Sequence, residues 1–404
     1  MKRAWCAALI CILLLMVSPS RAAERPFLRY TSDYFGTVSM LCLDEEEGAE
    51  DVWQAVKAIL QQIDESVSVS RADSDIARFN ALPAGSAMAV SDCTAAVWRC
   101  AQEAYEMTGG LYDPTVYPLV DLWGFSPRFN QKVYAPSLPY DRPLKGGYPV
   151  PPREEDISSL LPLVGMPGIA LTYDEGCWLL RKNTPAVQVA GSTIQAQVDL
   201  GGIAKGYACD RVAALLRERG IGAGYFICGG SSMVFLARPD GAAYPVAAGK
   251  PRPGRQEGQD YASFSARNIT LSTSSDISHG HWGADGVLYC HIIDPRTGYP
   301  LNCPEPGSVQ AGAASVSLLA DSAALGDALT TALCLMGPRE ALAFLTGREE
   351  KMVMAAYQSD ADHLEVITNM APEEMTILDA GYILASEREP QGICRYTGSF
   401  DPAL

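Results

Sequence analysis

Residues 198–207 combine an acid, a glycine pair and a lysine where the sequence predicts a strand-to-helix turn. Asp199 ends the predicted strand, Gly201 and Gly202 let the backbone turn tightly, and Lys205 stands in the first turn of the predicted helix. A helix N-terminus offers free N–H groups in a positive potential, so this pattern suits a phosphate. It matches neither the P-loop nor the dinucleotide GxGxxG pattern, and the alternative is a glycine-rich turn with a solvated lysine.

A second candidate lies in the apolar helix predicted at 321–336. Asp327 and Thr331 are four residues apart, so their oxygen atoms share one face of that helix. An unpaired buried carboxylate is costly, and a hard cation such as Mg²⁺ would satisfy both oxygens while leaving positions for phosphate and water. The alternative is a structural aspartate that is satisfied by hydrogen bonds.

Residues 290–300 place a histidine, an aspartate and an arginine in one Pro/Gly turn. His291, Asp294 and Arg296 follow a predicted strand, and polar turn residues flank the histidine. Among the four histidines of the chain, His291 is therefore the best acid–base candidate. The alternative is a turn in which Asp294 and Arg296 satisfy the backbone and each other.

The elements that must position these groups mix helices and strands without a regular βαβ alternation. Apolar residues at helical spacing predict helices at 51–63, 91–107, 204–219 and 321–336, with a short one from 338. Short β-rich patterns predict strands at 34–43, across 168–199 and on to about 293. Residues 125–153 form a long Pro/Gly/Tyr-rich loop. This order predicts an α+β fold with mostly antiparallel sheets and packed helices.

Length and charge limit the possible functions. The 404 residues, 48% of them hydrophobic, suffice for two domains or one two-lobed unit. Lys and Arg number 31 against 47 Asp and Glu, a formal net charge of −16, which disfavours nucleic acid and anionic membrane surfaces as partners. A phosphorylated ligand would have to be neutralised locally, by a metal ion, a helix N-terminus or a placed lysine.

Residues 1–22 have the pattern of a secretory signal peptide. Lys2 and Arg3 precede an apolar stretch over 4–17, and small residues lead to Ala22. The stretch is shorter than the roughly 20 residues of a transmembrane helix, so we expect export with cleavage near Ala22. Cleavage leaves 28 basic against 47 acidic residues, a charge of −19, in residues 23–404. Membrane association would then require an uncleaved signal anchor.

Together the three segments resemble the FAD:protein FMN transferase family, also called ApbE-like. The resemblance runs from about residue 34 to residue 345. Further motifs appear in the family's order, at 35–37, 73–80, 111–116 and 118–125.

The resemblance implies an ApbE-like fold of two subdomains and an Mg²⁺-dependent enzyme that splits the pyrophosphate of FAD. Such enzymes move FMN onto a Ser or Thr hydroxyl of a partner protein through a phosphoester bond and release AMP. They act outside the cytoplasm, in the periplasm or at the cell surface, commonly on a flavoprotein subunit of a membrane redox system. The predicted signal peptide agrees with this.

The resemblance also implies roles for individual residues. Asp327 and Thr331 match metal ligands, with backbone oxygens of Gly202 and Thr330 completing the set. His291 matches a histidine associated with catalysis, and our hypothesis is that His291 or Asp294 deprotonates the acceptor hydroxyl. Positions that contact FAD match Leu111, Tyr112, Asp113, Asp199, Lys205 and Leu301.

Three positions depart from the family's pattern. Phe35 stands where methionine usually precedes a Gly-Thr pair, Ser70 stands where an aromatic residue is usual, and Ser275 stands where glycine is common. A flavin-stacking ring is thus missing at Ser70, and our hypothesis is that Phe35 supplies a substitute aromatic face. These differences concern the flavin pocket more than the metal site.

Two other functions fit the same residues. An FAD pyrophosphatase, in which water replaces the acceptor hydroxyl and FMN and AMP leave, needs the same metal and pyrophosphate contacts. The second is a non-catalytic exported flavin-binding protein. Binding alone needs no catalytic metal, so this function would leave the pair of Asp327 and Thr331 unexplained.

Overall fold

The computed structural model describes the chain in separate stretches, which are 27–44, 48–126, 144–145, 148–149, 151–251, 260–276, 280–282, 287–301, 312–357, 363–378, 382–385 and 394–399. The predicted signal peptide and most of the long loop predicted at 125–153 lie outside them. The predictions for those two segments therefore stay predictions.

Seven α-helices lie within the described stretches. They are α1 Ala49–Val67, α2 Asp75–Asn80, α3 Asp92–Met107, α4 Tyr117–Leu122, α5 Glu154–Leu160, α6 Gly201–Glu218 and α7 Ala323–Leu345. Three of them begin with a serine whose hydroxyl accepts a backbone N–H of the first turn, which satisfies a donor that the helix cannot. These serines are Ser74 of α2, Ser91 of α3 and Ser322 of α7.

The strands of the described stretches are mostly short. They are β1 Phe27–Thr31, β2 Ser39–Leu43, β3 Ala87–Val90, β4 Leu144–Lys145, β5 Tyr148–Pro149, β6 Ile169–Asp174, β7 Cys177–Lys182, β8 Val187–Val189, β9 Ser192–Ile194, β10 Gly224–Cys228, β11 Ser232–Phe235, β12 Tyr244–Gly249, β13 Asp260–Ala266, β14 Ile269–Ser275, β15 His281–Trp282, β16 Leu288–Tyr289, β17 Ala313–Ala320, β18 Lys351–Tyr357, β19 His363–Thr368, β20 Met375–Ile377, β21 Tyr382–Ala385 and β22 Cys394–Ser399.

One ten-stranded antiparallel sheet organises the fold, in the order β1-β2-β10-β11-β14-β17-β18-β19-β22-β21. Two three-stranded sheets accompany it, β12-β13-β20 and β3-β7-β6. The predicted α+β fold with mostly antiparallel sheets and packed helices is therefore confirmed. The strands that follow residue 346 extend the main sheet beyond β17, except β20, which pairs with β13.

The two faces of the main sheet bury different cores, because side chains alternate along a strand. Phe226 of β10 and Val234 of β11 face the helices and pack in a core shared with α1, α3 and α6. Ile227 and Phe235 point the other way and pack against β12 and β13. The alternation thus gives one helix-covered lobe and one sheet-covered lobe.

The sequence placed two element boundaries wrongly. The strand predicted at 34–43 begins only at Ser39, because Phe35 and Gly36 have φ angles of 55° and 63° and so form a turn. Helix α6 begins at Gly201 rather than at 204, so Lys205 stands in its second turn. The predicted glycine stop is confirmed by Gly220, whose φ is 72°.

The predicted break between the helix at 321–336 and a second helix is confirmed. Gly337 has a φ of 71° and a ψ of 177°, and Pro338 follows inside the span of α7. Among the helices in the described residues, α7 is long and apolar enough to cross a membrane, by length and composition alone. It packs against α6, β14 and β17, as a core helix does.

Helices α6 and α7 approach each other closely at Gly206. A Cβ atom on Gly206 would lie 2.1 Å from the Ala323 carbonyl oxygen and 2.8 Å from Cβ of Asp327. One turn later on α6, the Asp210 carboxylate accepts hydrogen bonds from the backbone N–H groups of Ala323 and Ala324, at 2.8 and 2.9 Å. The glycine thus permits the contact, and Asp210 caps the start of α7 with a negative charge.

Replacing Gly206 by alanine is expected to force the two helices apart. We expect Gly206→Ala to lower the free energy of unfolding by about 1–3 kcal/mol, as overpacking does. Urea denaturation measures this, with Gly222→Ala as the control, since a Cβ there meets nothing within 4 Å. Equal stability of the two variants would contradict the close contact.

Candidate functional site

The start of α6 is held by Asp199 and its neighbours. The Asp199 carboxylate accepts the Gly201 N–H at 2.7 Å, and the Asp199 N–H donates to the Pro114 carbonyl at 2.9 Å. The sequence predicted that a strand ends at Asp199, but residues 195–200 form no strand. A side chain, not a neighbouring strand, satisfies the backbone there.

That side chain belongs to Asn80, at the end of α2. Its amide donates to the Val198 carbonyl and accepts the Val198 N–H, both at 2.8 Å. The fully buried Lys182 in turn donates to the carbonyls of Asn80 and Leu82, at 3.0 and 2.8 Å. Burial lowers the pKa of Lys182 to about 8. Sequence reasoning missed this support, although Asn80 closes one of the family motifs.

Lys205 and Asp327 meet where α6 crosses α7. The Lys205 ammonium lies 3.7 Å from Oδ2 of Asp327 and donates to the Gly201 carbonyl at 3.0 Å. Oδ2 of Asp327 also accepts the Gly206 N–H at 3.1 Å. Burial raises the pKa of Asp327, and Lys205 opposes this rise. Burial also lowers the pKa of Lys205, but the Asp327 carboxylate and weaker acidic neighbours together raise it above its ordinary value. Each charge thus offsets part of the cost of burying the other.

Residues 111–113 cover the start of α6. The Tyr112 ring packs against Gly202, where a Cβ would lie 3.4 Å from the ring. The Asp113 carboxylate accepts both the N–H and the hydroxyl of Thr115, at 2.8 and 2.6 Å. Burial nevertheless raises the pKa of Asp113 to about 6. Leu111 is buried beside them in the core that α6 shares.

Two backbone turns complete this part of the site. A Cβ on Gly229, in the turn between β10 and β11, would lie 3.1 Å from Oγ1 of Thr37 and 3.2 Å from Cδ of Lys205. The Gly229 N–H donates to the Val38 carbonyl at 2.9 Å. The 35–37 motif therefore lies against Lys205, as expected for a motif that contributes to the same site.

The two threonines of α7 point towards β14. The Thr330 hydroxyl donates to the Asp327 carbonyl at 2.9 Å and pairs with the Ser274 hydroxyl at 2.8 Å. The Thr331 hydroxyl lies 3.4 Å from the same Ser274 oxygen. Ser274 is a site neighbour that the sequence did not single out, and the departure at Ser275 lies next to it in β14.

The turn that carries His291 packs on another side of α7. Cys290, Ile292 and Leu301 share an apolar cluster with Leu329 and Leu333 of α7. His291 and Leu301 are thus brought to the helix that carries Asp327, but on the side of that cluster rather than in the contact with Lys205.

Asp294 is fully engaged within its own turn. Its carboxylate accepts the Arg296 N–H at 2.8 Å and forms a two-point ion pair with the Arg296 guanidinium, at 3.0 and 2.7 Å. The Trp123 indole donates to the Gly298 carbonyl at 2.7 Å and fixes the turn from outside. Of the two predicted bases, Asp294 therefore has a carboxylate that is already paired with a cation.

Phe35 and Ser70, the two departures that concern an aromatic ring, lie close to each other. The Phe35 N–H donates to the buried Asp64 carboxylate at 3.1 Å, and Arg71 lies 3.5 Å from the other oxygen of that carboxylate. Ser70, which precedes Arg71, is exposed. Phe35 is half-buried against the helix-covered core, so a ring is present close to the position where Ser70 lacks one.

The site carries more acid than base. Burial is the main cause of the raised pKa of Tyr112, and the carboxylates of Asp113, Asp199 and Asp327 raise it further. Lys205 supplies one positive charge. In the described part of the chain, no three His, Cys, Asp or Glu side chains are grouped so that they could hold a metal ion. The predicted ligand set has one carboxylate and relies on hydroxyl and backbone oxygens, which suits Mg²⁺ if phosphate and water complete its shell.

The antiparallel α+β scaffold thus brings together a helix N-terminus, a lysine and a buried aspartate, and the first two are groups that suit a phosphate. The model of the ApbE family matches residues 35–356. The chain therefore belongs to the ApbE family, and the resemblance read from the sequence is confirmed.

Named relatives and a solved structure agree. The FAD:protein FMN transferase of Vibrio cholerae serotype O1 is 28% identical over 361 residues, which cover 89% of this chain and 95% of that protein. The FAD:protein FMN transferase of Escherichia coli K12 is 26% identical over 348 residues, covering 86% and 87%. The structure of flavin transferase ApbE from Vibrio cholerae matches with a TM-score of 0.64 and 25% identity, covering 83% of this chain and 96% of that one.

The raised pKa of Asp113 makes a prediction for the ligand-free protein. Its folded pKa is about 6 against an ordinary 3.8, so its contribution to stability is present below about pH 4 and lost as pH rises through 6. The Asp113→Asn variant keeps an oxygen that accepts hydrogen bonds from Thr115. It has no carboxyl group to ionise, so it does not lose this stability as pH rises. We expect the variant to gain about 3 kcal/mol over the wild type between pH 4 and pH 7 in denaturant titrations. A difference that does not change with pH would contradict it.

Proposed function

We propose that this protein transfers FMN from FAD to a Ser or Thr hydroxyl of another protein, in an Mg²⁺-dependent reaction that releases AMP. Its relatives of similar length carry the name FAD:protein FMN transferase, which supports the activity. The observation that carries the proposal is the contact of Lys205 with Asp327 at the start of α6, because it joins a phosphate-binding helix end to a carboxylate that needs a cation.

The first turn of α6 and Lys205 are suited to the pyrophosphate of FAD. The Gly201 N–H already donates to Asp199, so the helix dipole and the Gly202 N–H are what favour an anion at this end, and the Lys205 ammonium lies one turn further along. The overall charge of −16 opposes capture of a dinucleotide at long range. Binding therefore rests on these local groups.

The residues fit a bound Mg²⁺. Asp327 and Thr331, with the backbone oxygens of Gly202 and Thr330, would hold it, and the surplus of carboxylates around Tyr112 is the charge that such an ion would offset. When bound, the ion offsets charge on the pyrophosphate and on the departing AMP.

The transfer step exchanges one phosphorus–oxygen bond for another. The acceptor oxygen bonds to the FMN phosphorus, and the bond from that phosphorus to the AMP phosphate breaks. The hydroxyl proton has to leave, and we assign its acceptance to His291, because Asp294 is bound by Arg296. Phe35 is assigned as the aromatic face for the isoalloxazine ring.

We assign the acceptor to a flavoprotein subunit of a membrane redox system that is exposed outside the cytoplasm. The support for this is the signal-peptide pattern of residues 1–22, together with the resemblance. Expression of the full chain, with cell fractionation and N-terminal sequencing of the exported form, tests this assignment and the cleavage near Ala22.

Intact mass spectrometry after incubation with FAD, Mg²⁺ and a flavin-free candidate acceptor subunit separates the possible functions. A mass gain of one FMN on the acceptor supports transfer. Free FMN and AMP with an unmodified acceptor indicate a pyrophosphatase, and unchanged FAD indicates binding only. Transfer that persists in EDTA would contradict the metal dependence.

Asp327→Asn is expected to lower the transfer rate by at least about a hundredfold, because it removes the charged metal ligand. Added Mg²⁺ or Mn²⁺ should not restore it. The control is Asp321→Asn, an exposed acid just before α7, which should keep the wild-type rate. Equal rates in both variants would remove Asp327 from the reaction.

His291→Ala is expected to slow transfer by about 10²–10⁴-fold while FAD binding stays unchanged, because only proton transfer is lost. Asp294→Asn, which keeps an oxygen for the Arg296 N–H, should lose far less. Single-turnover rates and FAD titrations measure both effects. The reverse order of the two variants would move the base to Asp294.

A further inference from the structure

Lys182, the last residue of β7, is fully buried, and no carboxylate among the described residues offsets its charge. Its ammonium donates to the Asn80 carbonyl at 3.0 Å and to the Leu82 carbonyl at 2.8 Å, and it lies 5.0 Å from the centre of the Phe79 ring. Its pKa of about 8 leaves it charged at pH 7. Burying an ammonium is costly, so its charged hydrogen bonds to these two carbonyls have to offset that cost.

The two carbonyls belong to the clamp loop, residues 80–84, which runs from the end of α2 towards β3. The same loop is bonded in two places to the chain that precedes α6. The Asn80 amide binds both the N–H and the carbonyl of Val198, at 2.8 Å each, and the Ala84 N–H donates to the Gln195 side chain at 2.8 Å. The ammonium therefore fastens a loop that in turn holds another segment.

That segment leads directly into the phosphate-binding start of α6. Residues 195–200 form no strand, so side chains rather than a sheet fix their backbone. Asp199 follows Val198, and its carboxylate accepts the Gly201 N–H at 2.7 Å. A shift of the clamp loop would therefore move the first turn of α6, and an anion is bound there only if the N–H groups keep their direction.

We propose that Lys182 is a positioning residue for the pyrophosphate site, acting through the clamp loop on the start of α6. The proposal rests on the proposed function for the identity of the ligand. Because Lys182 is fully buried, it influences FAD only through the residues that it holds. An ammonium suits this role because it donates to two carbonyls at once, whereas an apolar chain would leave both without that donor.

Lys182→Met tests this, because it removes the ammonium and keeps an unbranched chain of similar length. FAD and riboflavin, which has the same ring system and no phosphate, are titrated in the presence of Mg²⁺ and without acceptor. We expect FAD affinity to fall about tenfold with riboflavin affinity unchanged, since only groups that meet the phosphates are displaced. Lys182→Gln, whose amide keeps N–H donors without the charge, is the second variant should Lys182→Met not fold, and it should lose less.

The matched control is Thr368→Val, which removes another buried donor. The Thr368 side chain is 1% exposed and donates to the Met352 carbonyl at 2.6 Å, where β18 pairs with β19. Urea denaturation should show a loss of stability in this variant, while its FAD affinity stays that of the wild type. An FAD loss equal to that of Lys182→Met would make affinity follow stability and would overturn the inference.

A double-mutant cycle tests the route through Asn80. Asn80→Ala removes the amide that binds Val198, and we expect it to lower FAD affinity at least as much as Lys182→Met does. In the Asn80→Ala background, Lys182→Met should add only a small further loss, because the contact that it supports is already gone. Two residues with independent structural roles would instead give losses that multiply.

Three further outcomes overturn the inference. The first is unchanged FAD affinity in the folded variants of Lys182, and the second is an equal loss for FAD and riboflavin. The third is a double variant in which the two losses multiply. A wild-type protein that binds no FAD would overturn the proposed function as well, whereas the three outcomes above leave it intact.

Discussion

The close contact of α6 with α7 at Gly206 is the constraint on which the site depends. Because Gly206 has no Cβ, its N–H reaches the Asp327 carboxylate at 3.1 Å, and the preceding Lys205 is brought to 3.7 Å from the same oxygen. Asp210, one turn further along, caps α7 and fixes its start. One backbone approach therefore sets the positions of both charged groups close to the N-terminus of α6.

The contact between α6 and α7 is acidic, as the whole chain is. Three carboxylates surround the Tyr112 hydroxyl and raise its pKa, and burial raises the pKa values of Asp113 and Asp327, so ionised carboxylates are costly in the ligand-free site. A cation would offset this charge by itself, whereas an anionic ligand requires positive groups beside it, such as Lys205 and the N-terminus of α6. The acidic character that disfavours nucleic acid is therefore compatible with a phosphorylated ligand only where such local groups neutralise it.

The sequence predicted elements better than it predicted their contacts. Helical periodicity located α1, α3 and α7, because that signal is local. The pairing of Lys205 with Asp327 joins residues 122 positions apart, and only the family resemblance placed them in one site. Two local predictions were wrong for a physical reason: Asn80 replaces a strand at Val198, and a positive φ at Phe35 is unusual for a non-glycine residue.

The remaining site residues are held by supports that do not share the helix contact. Trp123 holds the turn of His291 through Gly298, and the ion pair of Asp64 with Arg71 holds the loop of Phe35. Since each support is local, the Phe35 ring and the His291 turn can change without moving Lys205 and Asp327. This separation is consistent with two departures from the family's pattern, Phe35 and Ser70, lying together away from Lys205 and Asp327, whereas the third, Ser275, adjoins the Ser274 that contacts Thr330 and Thr331.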